Sequence, residues 1–414
     1  MSSVSLQVLE ASQTSLYYAT PDSVKIADRQ TVYNSRYRQQ LTNLGSGTSS
    51  FIVPAGAGVK NIVLVVKYSA ADISGNQGQY VLNRGWLFEC VRNISVRLAG
   101  SNQFFITGAE LLAKCMQEVR STTQANQLLQ LAGQACLTAT DFQQDQYAAI
   151  PLSFLSKPSA DGVTWPIALD LVSSPLQVTV ELNPPSVFWH APGNTGGLTG
   201  FIPPVLSNGY FQCSMEVFTH RSDSLAMSAD LMTGSYSSPI SFWQQAQSVP
   251  LTPGVNNVIL SGIRSGEVKA VVMWLTRAND ALNPNVWYAP KQATVLYSGQ
   301  ILSDYQDNAS KLFNLIEGTK ASAVDTVRLS PAPGAPGAAV YQNVMSEWVV
   351  LPLSGTGVGR DYEGEVLSHG FEVLSGILNA TIETPDVTNT YVLNWAPVFN
   401  CSLVYQAGSC DFAF

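Results

Sequence analysis

The sequence predicts an all-β chain in which one sandwich-forming unit is used twice in tandem. Three observations carry that prediction: short apolar segments between turn residues, a long-period internal repeat, and a very low charge content.

The strands come first. Apolar and polar residues alternate, or stay apolar for five to seven positions, between clusters of Gly, Pro, Asn and Ser. NIVLVVKY (residues 61–68), ISVRL (94–98), LQVTVEL (176–182), AVVMWL (270–275) and CSLVY (401–405) are examples. Segments of this kind, rich in Val, Ile, Thr and Tyr, build sandwiches and barrels. Helical spacing is rare. GAELLAKCMQEV puts Leu111, Leu112, Cys115, Met116 and Val119 on one face. NASKLFNLIE does the same with Leu312, Phe313, Leu315 and Ile316, behind Asn308 as N-cap.

The repeat is the most informative feature. Val59 opens VKNIVLVVKYSAAD, and Val268 opens VKAVVMWLTRAND 209 residues later. NISVRLAGS reaches Gly100 and ATVLYSGQ reaches Gly299, a displacement of 199. Pro151 in AIPLSFL matches Pro352 in VLPLSG at 201, and Leu176 in PLQVTVEL matches Leu378 in GILNATIE at 202. Cys213 in FQCSMEVF matches Cys401 in FNCSLVY at 188, the first copy carrying a longer Gly/Pro-rich loop at residues 183–209. The order holds, and the length changes fall in turn-rich connections. A period near 200 residues is too long for a solenoid or propeller blade, which repeat at roughly 20–50. Each copy has room for about eight strands, and eight antiparallel strands in two facing sheets make a jelly roll. The expected fold is therefore two tandem eight-stranded jelly rolls, a double jelly roll, with short helices in loops. The expected boundaries are an N-terminal arm at 1–35, a first roll at 36–218, a Ser/Thr/Met-rich linker at 219–248 and a second roll with a C-terminal tail at 249–414.

Composition narrows the function. Charged residues are 12% of 414, against about 25% in an average soluble protein. Interface cores are depleted in charge, so a long chain this poor in charge buries much of itself or buries its outside against copies of itself. Lys and Arg number 21 against 29 Asp and Glu, a net charge of −8, so no direct nucleic-acid binding is expected. With 46% hydrophobic and 10% aromatic residues, disorder is excluded. No stretch approaches the roughly 18 apolar residues of a membrane span, and MSSVSLQVLEASQ reads as no secretory signal. The six cysteines (Cys90, Cys115, Cys136, Cys213, Cys401 and Cys410) form no Cys-x-x-Cys pair and read as reduced, mostly buried thiols, which fits a cytosolic folding compartment.

Reactive chemistry finds little footing. Only His190, His220 and His369 offer an imidazole, and no Gly-x-Ser-x-Gly elbow accompanies them. Gly56-Ala57-Gly58-Val59-Lys60 lacks the Gly-Lys-Ser/Thr ending of a phosphate loop and reads as a turn opening a strand. Asp361, Glu363 and Glu365 alternate, which suits a calcium ion less well than a solvated acidic loop. The Asn-x-Ser/Thr triplets at Asn93, Asn308, Asn379 and Asn400 read as coincidence, three of them in expected strands. No catalytic, cofactor-binding or metal-ligating residues are assigned, no cofactor is expected, and the chain is expected not to be an enzyme. A carbohydrate-binding, lectin-like jelly roll is the alternative, with Trp189, Trp287 and Tyr288 as its aromatic platform.

The order of motifs resembles that of the double-jelly-roll major capsid proteins of icosahedral DNA viruses, the lineage of tailless membrane-containing phages, adenovirus hexons and the large nucleocytoplasmic viruses. A glycine-ended strand (NISVRLAGS) leads through a helix and a variable connection to IPLSFL, WPIALDL and LQVTVEL, and MEVFTHRSDSL resembles the exit from their first roll. Trp165-Pro166-Ile167 stands where a plainer aliphatic pair is usual, and residues 365–375 keep little of that turn. The resemblance implies a major capsid protein, synthesised in the host cytoplasm, that self-assembles into pseudo-hexagonal homotrimers tiling the shell of a virion. It implies outer towers at residues 101–147 and 300–345, and terminal segments that tie neighbours together or face an internal membrane. Minor capsid and penton proteins are the further partners it implies.

Overall fold

The computed structural model describes residues 30–45, 47–54, 58–68, 81–82, 84–98, 102–118, 122–134, 145–152, 167–169, 172–190, 206–219, 235–277, 287–306, 329–331, 341–343, 348–353, 371–373, 377–406 and 409–413. Elements are numbered along the chain. The first half holds strands β1 (Gln30–Gln40), β2 (Thr48–Val53), β3 (Gly58–Tyr68), β4 (Val81–Leu82), β5 (Val91–Leu98), β6 (Asn102–Ile106), β7 (Gln146–Pro151), β8 (Ile167–Ala168), β9 (Leu176–Leu182), β10 (Trp189–His190) and β11 (Leu206–Thr219). Among the described residues four helices accompany them: α1 (Trp86–Cys90), α2 (Gly108–Glu118), α3 (Thr122–Leu131) and α4 (Pro185–Phe188). The second half holds β12 (Ser235–Trp243), β13 (Gln247–Leu251), β14 (Val255–Leu260), β15 (Gly266–Arg277), β16 (Gln292–Tyr297), β17 (Gln300–Gln306), β18 (Leu329–Pro331), β19 (Tyr341–Asn343), β20 (Val349–Pro352), β21 (Phe371–Val373), β22 (Leu378–Glu383), β23 (Tyr391–Gln406) and β24 (Ser409–Ala413).

The strand orders repeat. In the first half β1-β11-β3-β7 form one sheet and β2-β9-β5-β6 the other, with β8 continuing along β3 where β7 stops. In the second half β12-β23-β15-β20 and β14-β22-β16-β17 reproduce both orders, with β21 continuing along β15 as β8 does along β3. Number the eight principal strands of each half in chain order, and both halves read 1-8-3-6 against 2-7-4-5. That is jelly-roll connectivity, twice. A one-residue bulge interrupts the β11–β3 ladder and recurs between β23 and β15. Asn61 takes up the first of them with a left-handed φ of 54°.

All five matched motifs fall in equivalent strands: β3 with β15, β5 with β16, β7 with β20, β9 with β22, β11 with β23. Val96 faces Val178 and Val295 faces Ala380, so the displacements of 199 and 202 hold to the residue. The first and last motifs are displaced. Gln212 faces Val63, which faces Pro151; Val398 faces Ala270, which faces Pro352. The ladder thus sets Val63 against Ala270, 207 apart rather than 209, and Gln212 against Val398, 186 apart rather than 188. A two-residue slip preserves which face every side chain takes, so the hydrophobic pattern could not reveal it.

Inward residues alternate with outward ones along β2 and β9 and fill the space between facing sheets. Phe51 stacks on Phe211 at 5.2 Å in the first roll, and Phe242 lies 6.4 Å from Phe399 in the second. Each fully buried side chain of this size stabilises the fold by roughly 1.5–3 kcal/mol. The β16–β17 hairpin closes over Ser298 (φ 49°) and Gly299 (φ 81°), the positive pair that a two-residue type I′ turn demands.

Several expectations are corrected. Residues 235–243, expected in the linker, form β12, because SYSSPISFW supplies an edge strand whose Pro239 and serines resemble loop sequence. Residues 30–35, expected in the arm, pair with β11 as part of β1. The C-terminal tail is no free tether: Ser409–Ala413 returns along β23, Cys410 is buried, and Phe412 meets Phe242 at 5.6 Å. The 101–147 connection is not simply a tower, since it contributes β6, α2 and α3. Of the two expected helices α2 is present, whereas residues 308–317 lie outside the described residues. In the 300–345 connection, residues 300–306 form β17, and β18 pairs with β19.

Candidate assembly surface

The two rolls meet through a second buried cluster. On the outward face of β12-β23-β15-β20 lie Trp243, Val398, Ala396, Ala270, Val272, Trp274 and Val350, together with Trp287 and Trp348 from its flanks. Ala113 of α2 and Leu129 of α3 are buried in the same cluster. Trp287 stacks on Trp274 at 5.2 Å and meets Trp348 edge-on at 5.7 Å. The interior of the roll takes Val268, Val271, Met273 and Leu275 instead. Both faces of β15 are thus covered, and a strand buried on both faces needs a continuous apolar run rather than alternation. AVVMWL is that run. The equivalent NIVLVVKY of β3 alternates buried with half-buried or exposed positions, because only its inward face is fully covered.

Glu110 ties the joint together. Thr107-Gly108-Ala109-Glu110 is a capping box: the Glu110 N–H donates to Thr107 Oγ1 (3.2 Å), and Glu110 Oε2 accepts from the Thr107 N–H (2.6 Å) and hydroxyl (2.7 Å). Its other oxygen, Oε1, accepts the backbone N–H of Ala246, between β12 and β13. One carboxylate therefore starts a first-roll helix and grips a second-roll connection. The side chain is fully buried. Burial pushes its carboxyl above the usual carboxylate range, and the bonds from Thr107 and Ala246 oppose that shift. This residue escaped sequence reasoning, although the Thr-x-x-Glu signature ahead of an apolar run was there to be found.

The remaining sheet faces look outward. On β2-β9-β5-β6 Ile52 and Phe105 are exposed beside a Ser50–Thr179 hydroxyl bond of 3.0 Å. On β14-β22-β16-β17 Val255, Ile259 and Ile301 are exposed, and the Thr381 hydroxyl donates to Asn257 Oδ1 at 3.0 Å. These walls mix isolated apolar residues with neutral polar ones and carry few charges.

Residues weighed for other chemistry are not brought together. Trp287 is 3% exposed inside the joint, and Tyr288 lies under the Arg277 guanidinium at 4.6 Å, so neither forms an open sugar platform. Trp189 and His190 form β10, paired with β4, while His220, His369, Asp361, Glu363 and Glu365 lie outside the described residues. Among the described residues no group of three or more His, Cys, Asp or Glu is placed to hold a metal ion. No described helix is long and apolar enough to cross a membrane. Gly58 and Lys60 sit in β3, as a strand opening requires. Asn93, Asn379 and Asn400 are all in strands, and Asn308 lies outside the described residues.

The five described cysteines are buried. Burial pushes the thiols of Cys213 and Cys410 up to about 12. Since the thiolate is the reactive form, these cysteines are expected to resist a thiol reagent at pH 8 until denaturant is added. Labelling followed by peptide mass spectrometry checks this; rapid native labelling of Cys213 would contradict it.

Solved structures share this architecture. The chain is similar to PBCV-1 VP54, fitted into a cryo-EM reconstruction of the virophage Sputnik, with a TM-score of 0.62 at 10% identity over 93% of this chain and 98% of that one. It is similar to the Faustovirus major capsid protein (TM-score 0.59, 10% identity, 91% of each chain). The mavirus major capsid protein follows at TM-score 0.53 and 11% identity, over 91% of this chain and 90% of that one. No protein-family model and no curated protein matches the sequence. At such identities the likeness is one of fold, and the fold is a double jelly roll.

Proposed function

We propose that this chain is the major capsid protein of an icosahedral virus, three copies of which assemble into a pseudo-hexagonal capsomer. One observation carries the reading: a single chain holds the same 1-8-3-6 and 2-7-4-5 roll twice, so a threefold ring presents six alike building blocks. A block of near-sixfold outline tiles a facet with lateral contacts of nearly one kind. The sparsely charged outward walls suit such contacts, and the neighbours in fold include major capsid proteins.

In this reading the chain works by self-association and not by catalysis, residues between Thr219 and Ser235 link the rolls, and the mature protein resides in the virion shell. Minor capsid proteins, penton proteins and an internal membrane are its proposed further partners. The lectin-like alternative loses support from the burial of Trp287. Light scattering on the purified chain tests the proposal. A particle of three times 44.5 kDa that persists on dilution is the expected result. A monomer at every concentration, or one that binds glycans, contradicts it.

A further inference from the structure

The same end of each roll is finished differently. At that end the connections between strands 1 and 2, 3 and 4, and 7 and 8 come together. A shared backbone bond fixes the correspondence: the Leu182 N–H donates to Gly47 O and the Thr384 N–H to Gly254 O, both at 3.0 Å.

In the second roll the chain's own side chains fill this mouth. The Gly254 N–H donates to Thr384 Oγ1 at 2.8 Å. Tyr391 is fully buried, and its hydroxyl donates to Asp386 Oδ2 at 2.6 Å. Tyr288 meets Tyr391 edge-on at 5.7 Å beneath the Arg277 guanidinium. The 7–8 connection that supplies Asp386 is short, spanning residues 384–390.

In the first roll the 7–8 connection runs from 183 to 205 and forms α4 and then β10, which pairs with β4. Leu182 brings no hydroxyl where Thr384 does. The mouth here is a cavity of about 290 Å³, its open side included, walled by Leu44, Tyr68, Cys90, Leu182, Phe188 and Leu206. Tyr68, Cys90, Leu182 and Phe188 are buried and form the floor, whereas half-buried Leu44 and Asn183 mark the opening. The wall is firmly held. Tyr68 packs against Trp86 at 5.1 Å and Phe188 at 6.5 Å. The Asn183 N–H donates to Cys90 O (2.7 Å), and its Nδ2 donates to Glu89 O (2.8 Å).

The chemistry of this wall is selective. No charged side chain lines it, and burial pushes the Cys90 thiol well above its ordinary value, so the floor is neutral. Water needs two to four polar partners, which such walls supply poorly. An apolar cavity forfeits packing, and the second roll shows that the topology does not impose one. Small-molecule sites favour the mouths of β-barrels, mostly apolar with a few placed polar groups.

We infer that the mouth of the first roll binds a small neutral alkyl molecule, its chain on the floor of Tyr68, Leu182 and Phe188 and its polar end at the opening beside Asn183. The site does not depend on self-association.

Titration calorimetry of the full chain with 1-octanol tests it, and one saturable site per chain is the expected result. Leu44→Phe at the opening and Cys90→Leu on the floor put side-chain volume into the cavity. Each is expected to weaken binding about tenfold or more. Because the added atoms enter existing space, both variants are expected to match or exceed the wild-type urea midpoint, unlike ordinary overpacking. Ile52→Ser, on an exposed wall, is expected to bind as the wild type does. Absence of saturable binding overturns the inference, as do filled variants that bind like the wild type. Loss of binding in Ile52→Ser but not in the filled variants moves the site elsewhere and overturns it too. Filled variants that both unfold below the wild-type midpoint show that the mouth has no room, with the same consequence.

Discussion

Replacing Trp274 by alanine is expected to lower the stability of the chain by about 3–5 kcal/mol, the usual cost of removing a buried large aromatic side chain. Whole domains are stable by only about 5–15 kcal/mol, so the loss should be plain in a denaturant titration. The size of the effect follows from position. Trp274 projects from the central strand of the second roll into the joint, where it is 4% exposed and stacked on Trp287, itself packed edge-on against Trp348. Alanine removes one member of this three-ring cluster, and the rigid sheet beneath cannot collapse to fill the gap. Trp274→Phe, which keeps a ring, is expected to cost clearly less. If Trp274→Ala unfolds at the wild-type denaturant midpoint, the joint is not the buried contact described above.

The second large effect is expected at Glu110. Glu110→Ala removes the acceptor for the Thr107 N–H and hydroxyl and for the Ala246 N–H, all inside the joint. Each buried donor left without a partner costs about 1–3 kcal/mol, so a total of roughly 3 kcal/mol or more is expected. The pH dependence has a definite sign. The folded carboxyl is raised above its unfolded value, so the folded state holds its proton more tightly than the unfolded one. Its contribution is therefore fully present below the ordinary glutamate range and declines as pH rises from there through the raised folded value. Glu110→Gln does not titrate at this position. The stability of the wild type relative to Glu110→Gln is expected to fall as pH climbs from 4 toward neutrality, and urea midpoints measured across that range decide it. A difference that grows with pH would contradict the assignment.

Much of the fold is legible in the sequence because it is written in periodicities. The five repeated motifs mark equivalent strands. What could not be read has physical causes. Two-residue slips in β15 and β23 leave the in-and-out pattern intact. β12 hides because an edge strand tolerates Pro239 and needs no apolar run. Short α1 and the Gln-rich α3, TTQANQLLQL, carry little periodic signal of their own and are fixed by packing. The joint was the least legible part. Trp274, Trp287 and Trp348 are spread over 75 positions and meet only through tertiary structure, so no local pattern announces them. Glu110 is the exception, its capping-box signature being local.

Equivalence of the two rolls around a common axis is the claim on which the rest depends, and single-particle cryo-EM of the purified assembly measures it directly. The expected image is a threefold particle with six similar rolls in one ring, first and second rolls alternating, and α2 and α3 of each chain against its own second roll. A twofold dimer, or a threefold particle in which first rolls meet only first rolls, would contradict it.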